Sequence, residues 1–220
     1  MEIQPGVYRI ESVKGANCYF VTDDEGSYLI DTGMPGNADK IIQEISKRGY
    51  NPEEIRFILL THADIDHVGN VAKLKSLTQA KIGIHQNEAP ILAGEKESKK
   101  AKGCVGFIFR LLLKCIHFEP VKSDILLEDG QEIGPFKVIH VPGHTEGSVC
   151  FYDEGKGILF VGDALRADKK GDPRISPDIM NFNTTGARES VQKLAKVNFQ
   201  VMLPGHGKSI TKEAFQKMFF

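Results

Sequence analysis

The chain has 220 residues, of which 41% are hydrophobic and 26% are charged, and its formal net charge is −1. This composition is ordinary for a soluble globular protein and excludes a disordered, collagen-like or fibrous chain. The near-neutral balance also argues against a general electrostatic grip on nucleic acid.

The first third of the sequence predicts strands followed by a helix. Three segments are rich in β-branched and aromatic residues and predict strands: 6–10, 16–22 and 27–30. Within 38–48, isoleucines recur at helical spacing, and Gly49 ends this predicted helix. The short apolar run 56–60 predicts a buried strand, 69–77 a helix and 81–84 a further strand.

Residues 86–120 depart from this pattern and are interpreted as a helical insertion within a single domain, 1–220. The nearly all-apolar stretch 105–113 is far shorter than the roughly 20 residues that span a bilayer, so no membrane span is predicted. A buried helix, an interfacial anchor, a homodimer contact or an apolar lid that accepts an acyl chain would each fit it. The lid would use five side chains: Phe107, Ile108, Phe109, Leu111 and Leu112.

Strands return in the second half, with helices near the end. Strands are predicted at 124–127, 136–141, 148–152, 158–161 and 199–203, and helices at 184–197 and 211–219. Both halves therefore mix hairpin strands with helices. This order predicts an α/β (α+β) fold in which two sheets pack face to face with helices outside.

The N-terminus and the cysteines indicate a cytoplasmic protein. The first residues lack a positive start followed by an apolar core, so no signal peptide is predicted. The four cysteines form no C-x-x-C pair and are interpreted as reduced, packed thiols: Cys18, Cys104, Cys115 and Cys150.

A cluster of histidine and aspartate directly follows the buried strand at 56–60. Its four members are His62, Asp64, Asp66 and His67. A lone histidine or aspartate on a loop is usually just a solvated polar residue. Four such side chains on one strand-to-helix loop instead predict a metal site, because imidazole and carboxylate bind zinc, iron and manganese.

Three more candidate ligands follow predicted strands, each beside glycine: His144, Asp163 and His206. Each could be an ordinary turn residue. That interpretation readily explains one such motif, but it does not readily explain three. Polar groups displayed at the ends of several strands are how sheet proteins build sites. The sequence therefore predicts that these residues join the metal site.

These motifs, in this order, resemble the metallo-β-lactamase fold superfamily over essentially the whole chain. The family pattern is H-x-H-x-D-H, then G-H-T-x-G-S, an aspartate after glycine, and a final G-H. Here the first motif reads H-x-D-x-D-H from His62 to His67, and the early turn Asp31-Thr32-Gly33 also matches. The resemblance implies a four-layer αββα sandwich.

The resemblance also implies a role for each candidate ligand. It places His62, Asp64 and His144 on a first metal, Asp66, His67 and His206 on a second, and Asp163 between the two. The implied nucleophile is a hydroxide shared by two divalent ions, with zinc the first expectation and iron or manganese the alternative. Asp66 is the implied catalytic residue, which orients the water or helps to move its proton.

Position 64 departs from the family pattern, because it holds Asp where the family has His. The first metal site is either degenerate or served by this carboxylate. The second interpretation is favoured, because the Oδ of Asp and the Nδ1 of His are both bonded to Cγ. Related iron proteins of the superfamily place Glu there. A third carboxylate would weaken the Lewis acidity of the metal and favour harder ions such as iron(II) or manganese(II).

The predicted function is a metal-dependent hydrolase that acts on a small ester, lactone or thioester. Exported β-lactamases, nucleases with an RNA-gripping arm, flavodoxin-fused oxidoreductases and glyoxalase II enzymes with a C-terminal helical domain fit the length and composition less well. Two alternatives remain open. One is an iron-dependent oxidoreductase acting on oxygen or a sulfur species, and the other is a non-catalytic metal-binding protein.

Overall fold

A computed structural model describes residues 1–98 and 117–219. The described residues divide into two compact units, one formed by 1–98 with 117–126 and the other by 127–219. No helix in these ranges combines the length and the apolar content needed to cross a membrane.

The first unit is built on one sheet whose strands lie side by side in chain order. These are β1 Glu2–Gln4, β2 Val7–Ile10, β3 Cys18–Asp23, β4 Gly26–Ile30, β5 Ile55–Leu59, β6 Lys81–His85 and β7 Ile125–Leu127, the last running into the second unit. The helices are α1 Ala38–Lys47, α2 Ile65–Val68, α3 Val71–Thr78 and α4 Ala89–Leu92, with a 3-10 turn at Pro52–Glu54.

The buried side of α1 explains why β4 and β5 lie in parallel. Ile41 and Ile45, one helical turn apart, are fully buried in the same apolar core as Ile58 of β5. The helix thus returns the chain along the sheet, and β5 pairs in parallel with both β4 and β6. The carboxyl ends of β4 and β5 consequently meet at one edge of the sheet.

The second unit has a six-stranded sheet in the order β15-β14-β11-β10-β9-β8. Its strands are β8 Glu132–Ile133, β9 Phe136–His140, β10 Val149–Asp153, β11 Ile158–Gly162, β14 Val201–Pro204 and β15 Ile210–Thr211. A separate hairpin pairs β12 Arg166–Ala167 with β13 Pro173–Arg174. The helices are α5 Thr184–Leu194 and α6 Lys212–Phe219, with a 3-10 turn at Asp178–Met180.

The pairing within this sheet brings three strand ends to one edge. β10 is antiparallel to β9 and to β11, whereas β11 is parallel to β14. The ends of β9, β11 and β14 therefore lie on the same side. Asn183 caps the start of α5, and its side chain accepts a hydrogen bond from the amide of Gly186.

The predicted strands and helices of the described ranges are present within a few residues of their expected bounds. One placement was wrong, because the cluster at 62–67 does not lie wholly in a loop. Asp66 and His67 belong to α2, a four-residue helix too short to leave a periodic signal. Of the predicted insertion, 86–98 contains α4. Residues 99–116, with the apolar lid, Cys104 and Cys115, lie outside the described residues.

Candidate functional site

The histidine and aspartate cluster of the first unit lies where β5 ends. His62 is 1% exposed, His67 is fully buried, and their ring centroids are 4.0 Å apart. Asp66 precedes His67 in α2, and their ligand atoms lie within 4.8 Å of each other. The segment after β5 and the helix α2 thus bring nitrogen and oxygen ligand atoms together.

Asp31, at the end of β4, organises this cluster. Its Oδ1 accepts a hydrogen bond from the amide of Thr61 at 2.9 Å. Its Oδ2 lies 2.8 Å from both the Thr61 hydroxyl and Nδ1 of His67. The backbone of Asp31 is left-handed, with φ of 56°, an unusual conformation for a residue other than glycine. The buried carboxylate therefore ties the end of β4 to the end of β5.

The hydrogen-bond directions fix the orientation and tautomer of both histidines. The Asp31 carboxylate only accepts, so Nδ1 of His67 must carry the proton that it shares with Asp31. The Thr61 hydroxyl donates to Asp31, so Nδ1 of His62, 3.0 Å from that hydroxyl, must donate to it. In the neutral form of both rings the lone pair is then on Nε2. This is the arrangement in which metal-binding histidines are held by a neighbouring carboxylate.

Asp64 turns its carboxylate toward His62. Aspartate at the N-cap of a helix normally accepts a hydrogen bond from the first turn, but the Asp64 side chain makes no such bond to α2. Its Oδ2 lies 3.4 Å from Nε2 of His62 instead. The carboxylate thus lies beside the ring nitrogen that carries the lone pair, as a shared-ion arrangement would require.

Two further buried side chains hold the backbone of the cluster. Glu88 is 1% exposed, and its Oε2 accepts a hydrogen bond from the amide of Ala63 at 2.9 Å. The Thr32 hydroxyl donates to the carbonyl of His67 at 2.8 Å. Sequence reasoning assigned no role to Asp31 or Glu88. The Asp31-Thr32-Gly33 motif could have indicated a role for Asp31, whereas no sequence pattern indicated one for Glu88.

In the second unit, three predicted ligands meet at the sheet edge formed by β9, β11 and β14. Nε2 of His144 lies 3.6 Å from Oδ2 of Asp163, and Nε2 of His206 lies 3.4 Å from the same oxygen. His144 and Asp163 are buried, and His206 is half-buried. Two ring nitrogens thus converge on one carboxylate.

The loop between β13 and α5 supports His144 and Asp163. Asn181 donates its side-chain N–H to the carbonyl of Ser176, so its Oδ1 accepts from Nδ1 of His144 at 3.4 Å. Ser176 donates its hydroxyl to the carbonyl of Asp163. His144 is therefore also held at Nδ1, which leaves the lone pair on Nε2.

Gly207 is needed for the close approach of the β12 strand to the His206 loop. Its φ is +93°, and a Cβ there would overlap the carbonyl oxygen of Ala167. We expect Gly207→Ala to lower the free energy of unfolding by about 3 kcal/mol or more, measured by urea denaturation. Gly130→Ala is the control, because its φ is +81° with open space around it, and it should cost about 1–2 kcal/mol. Equal losses would contradict this account of Gly207.

The described cysteines are not nucleophile candidates. Cys18 and Cys150 are both fully buried free thiols. Burial raises the pKa of each thiol well above its usual value. Neither forms the reactive thiolate near neutral pH.

The chain is similar to known metallo-hydrolases and to a solved di-iron-bound protein. The probable metallo-hydrolase YflN of Bacillus subtilis is 28% identical, over 98% of this chain and 89% of its own. The hydroxyacylglutathione hydrolase GloC of Haemophilus influenzae is 31% identical, over 68% of this chain and 66% of its own. The solved structure of TTHA1623 in a di-iron-bound form matches with a TM-score of 0.73 at 26% identity, over 92% of each chain.

These likenesses confirm the predicted α/β class and the metallo-β-lactamase fold. Hydrolases among the relatives support an enzyme, and the histidine and aspartate groups of both units are candidate metal ligands. The family model of the metallo-beta-lactamase superfamily matches residues 12–206. The chain therefore belongs to the metallo-beta-lactamase superfamily.

Proposed function

We propose that this chain is a metal-dependent hydrolase with a dinuclear centre, and that zinc is its first expected metal. The proposed ligands are His62, Asp64, Asp66, His67, His144, Asp163 and His206. The observation that carries the proposal is the hydrogen-bond network of Asp31 with Thr61 and His67, which places the lone pairs of two buried histidines on Nε2. A buried carboxylate that fixes two imidazoles in this way is typical of metal sites.

The donor set fits divalent ions. It consists of imidazole nitrogens and carboxylate oxygens, the ligands of zinc, iron and manganese sites. Divalent ions held there would lower the pKa of bound water and polarise the scissile carbonyl group. Asp66 is proposed to accept or return a proton beside the reacting carbonyl, because its half-buried carboxylate adjoins the ligand atom of His67.

The proposed substrates are small thioesters, esters or lactones. Support comes from the relative GloC, which is named as a hydroxyacylglutathione hydrolase. A panel of one thioester, one ester and one lactone, assayed with metal-loaded protein, tests the proposal. Turnover of at least one, lost in Asp66→Ala, is the expected result. Absence of turnover on all three substrates would contradict the proposed hydrolase function.

An iron-dependent oxidoreductase is the second candidate, and Asp64 is the observation that favours it. A carboxylate 3.4 Å from Nε2 of His62 adds a hard oxygen donor where the family carries histidine. TTHA1623, a structural neighbour, was solved with two irons. Iron bound after purification, together with oxygen consumption, would support this function over hydrolysis.

Asp64→His tests whether the carboxylate selects the metal. We expect the variant to bind zinc more strongly relative to iron(II) than the wild type does, because imidazole is the softer donor. Competition dialysis against equal concentrations of the two ions, followed by elemental analysis, measures the ratio. Asp39→His, an exposed substitution on α1, is the control. An unchanged ratio in Asp64→His would remove Asp64 from the ligand set.

A further inference from the structure

The hairpin formed by β12 and β13 is basic. Residues 166–174 contain four Lys or Arg and two Asp. Arg166 stands directly opposite Arg174 across the antiparallel pair. Like charges in that position destabilise a strand pair, and a bound anion would relieve the repulsion.

The two arginines differ in their partners. Arg174 is exposed, and its Nη2 lies 3.6 Å from the carboxylate of Asp168. Arg166 is half-buried, and within residues 1–98 and 117–219 it has no carboxylate partner. Its Nη1 lies 3.8 Å from the thioether sulfur of Met180. A guanidinium group has five N–H donors, and most of those on Arg166 have no acceptor among residues 1–98 and 117–219.

Arg166 lies between two segments that are each fixed to a proposed metal ligand. It follows Asp163 by three residues, and the amide of its neighbour Ala167 donates to the carbonyl of His206 at 2.9 Å. Met180 precedes Asn181, the residue that holds Nδ1 of His144. The backbone on both sides of this contact is therefore tied to proposed ligands of the second unit.

We propose that Arg166 binds an oxyanionic group of the substrate, a carboxylate or a phosphate, and so selects anionic acyl compounds. This inference rests on the proposed function for the identity of the site that the substrate enters. The planar guanidinium fork matches both oxyanions with paired hydrogen bonds. Contact with the Met180 thioether partly removes the group from water, which strengthens those bonds.

Three thioesters of matched length test the proposal. They are the S-acetyl derivatives of 3-mercaptopropanoate, 2-mercaptoethylphosphonate and 3-mercaptopropanamide. We expect kcat/KM of the metal-loaded wild type to favour one anionic thioester over the carboxamide by about tenfold to a hundredfold. The preferred anion identifies the group as carboxylate or phosphate.

Variants assign this preference to one side chain. Arg166→Gln should remove it while changing turnover of the carboxamide by less than about twofold, and Arg166→Lys should restore part of it. Arg174→Gln, the matched change across the strand pair, should keep it. A preference that survives in Arg166→Gln, as direct binding of the anion to metal would give, overturns the proposal. The proposal is also overturned if Arg174→Gln loses the preference for the anionic thioester, or if the wild type shows no such preference.

A binding measurement separates this proposal from the hydrolase function. The S-methyl thioethers of the same three thiols cannot be hydrolysed, and calorimetry can follow their binding whether or not the thioesters turn over. Tighter binding of an anionic thioether than of the carboxamide, lost in Arg166→Gln, supports the anion site even if no thioester is hydrolysed. Equal binding by the wild type overturns it even if hydrolysis is observed.

Discussion

Asp31→Asn is expected to lower kcat by about 10³–10⁴-fold while leaving the fold intact. In the wild type, Oδ2 of Asp31 accepts hydrogen bonds from the Thr61 hydroxyl and from Nδ1 of His67. The asparagine amide would place N–H donors at this position, facing the two existing donors. To avoid opposing donors, His67 would move its proton to Nε2 and could no longer bind metal through that atom. Measuring kcat together with the metal content of the purified variant tests this chain of causes.

Asp23→Asn is the matched control for that substitution. Asp23 also lies at a strand end of the first unit, where its Oδ1 accepts from the amides of Glu25 and Gly26. The asparagine oxygen can keep these bonds, so kcat should stay within about twofold of the wild type. An Asp31→Asn variant that keeps full activity and full metal content would show that the network does not set the tautomer of His67.

Removal of metal by a chelator is expected to abolish hydrolysis and to lower the melting temperature by about 5–10 °C for each site emptied. A ligand present at a hundred times its dissociation constant stabilises the folded state by about 2.7 kcal/mol. One kcal/mol corresponds to about 2–4 °C for a chain of this size. Calorimetry or thermal circular dichroism before and after dialysis measures the shift, and adding metal back should restore both properties.

His67→Ala serves as the control for the chelator experiment. Loss of this fully buried ring should empty one site in advance, so the chelator should then shift the melting temperature of the variant by less than that of the wild type. Chelation that inactivates the wild type without any thermal shift would mean that the metal is not held by the folded scaffold.

Much of the fold could be predicted, because its longer elements carry a clear period. Ile41 and Ile45 mark the buried face of α1, and short apolar runs mark β5 and β11. The two-residue strands β8, β12, β13 and β15 left no such signal, since two residues cannot show an alternation. The four-residue helix α2 was missed for the same reason.

The residue types of the site could be predicted, but their supports could not. His62 and His67 were evident from the spacing of one motif, yet the buried bonds that orient them come from residues about 30 positions away in sequence. Asp31 was seen only as part of a turn, and Glu88 is a single carboxylate in an otherwise unremarkable segment. Their function depends on strand pairing and burial, which spacing along the chain does not encode.

The most direct test of the account is elemental analysis of wild-type protein purified without added metal and then dialysed against zinc. We expect two equivalents of divalent metal per chain in the wild type and a marked loss in Asp31→Asn. Fewer than one equivalent in the wild type, or the same content in both proteins, would contradict it.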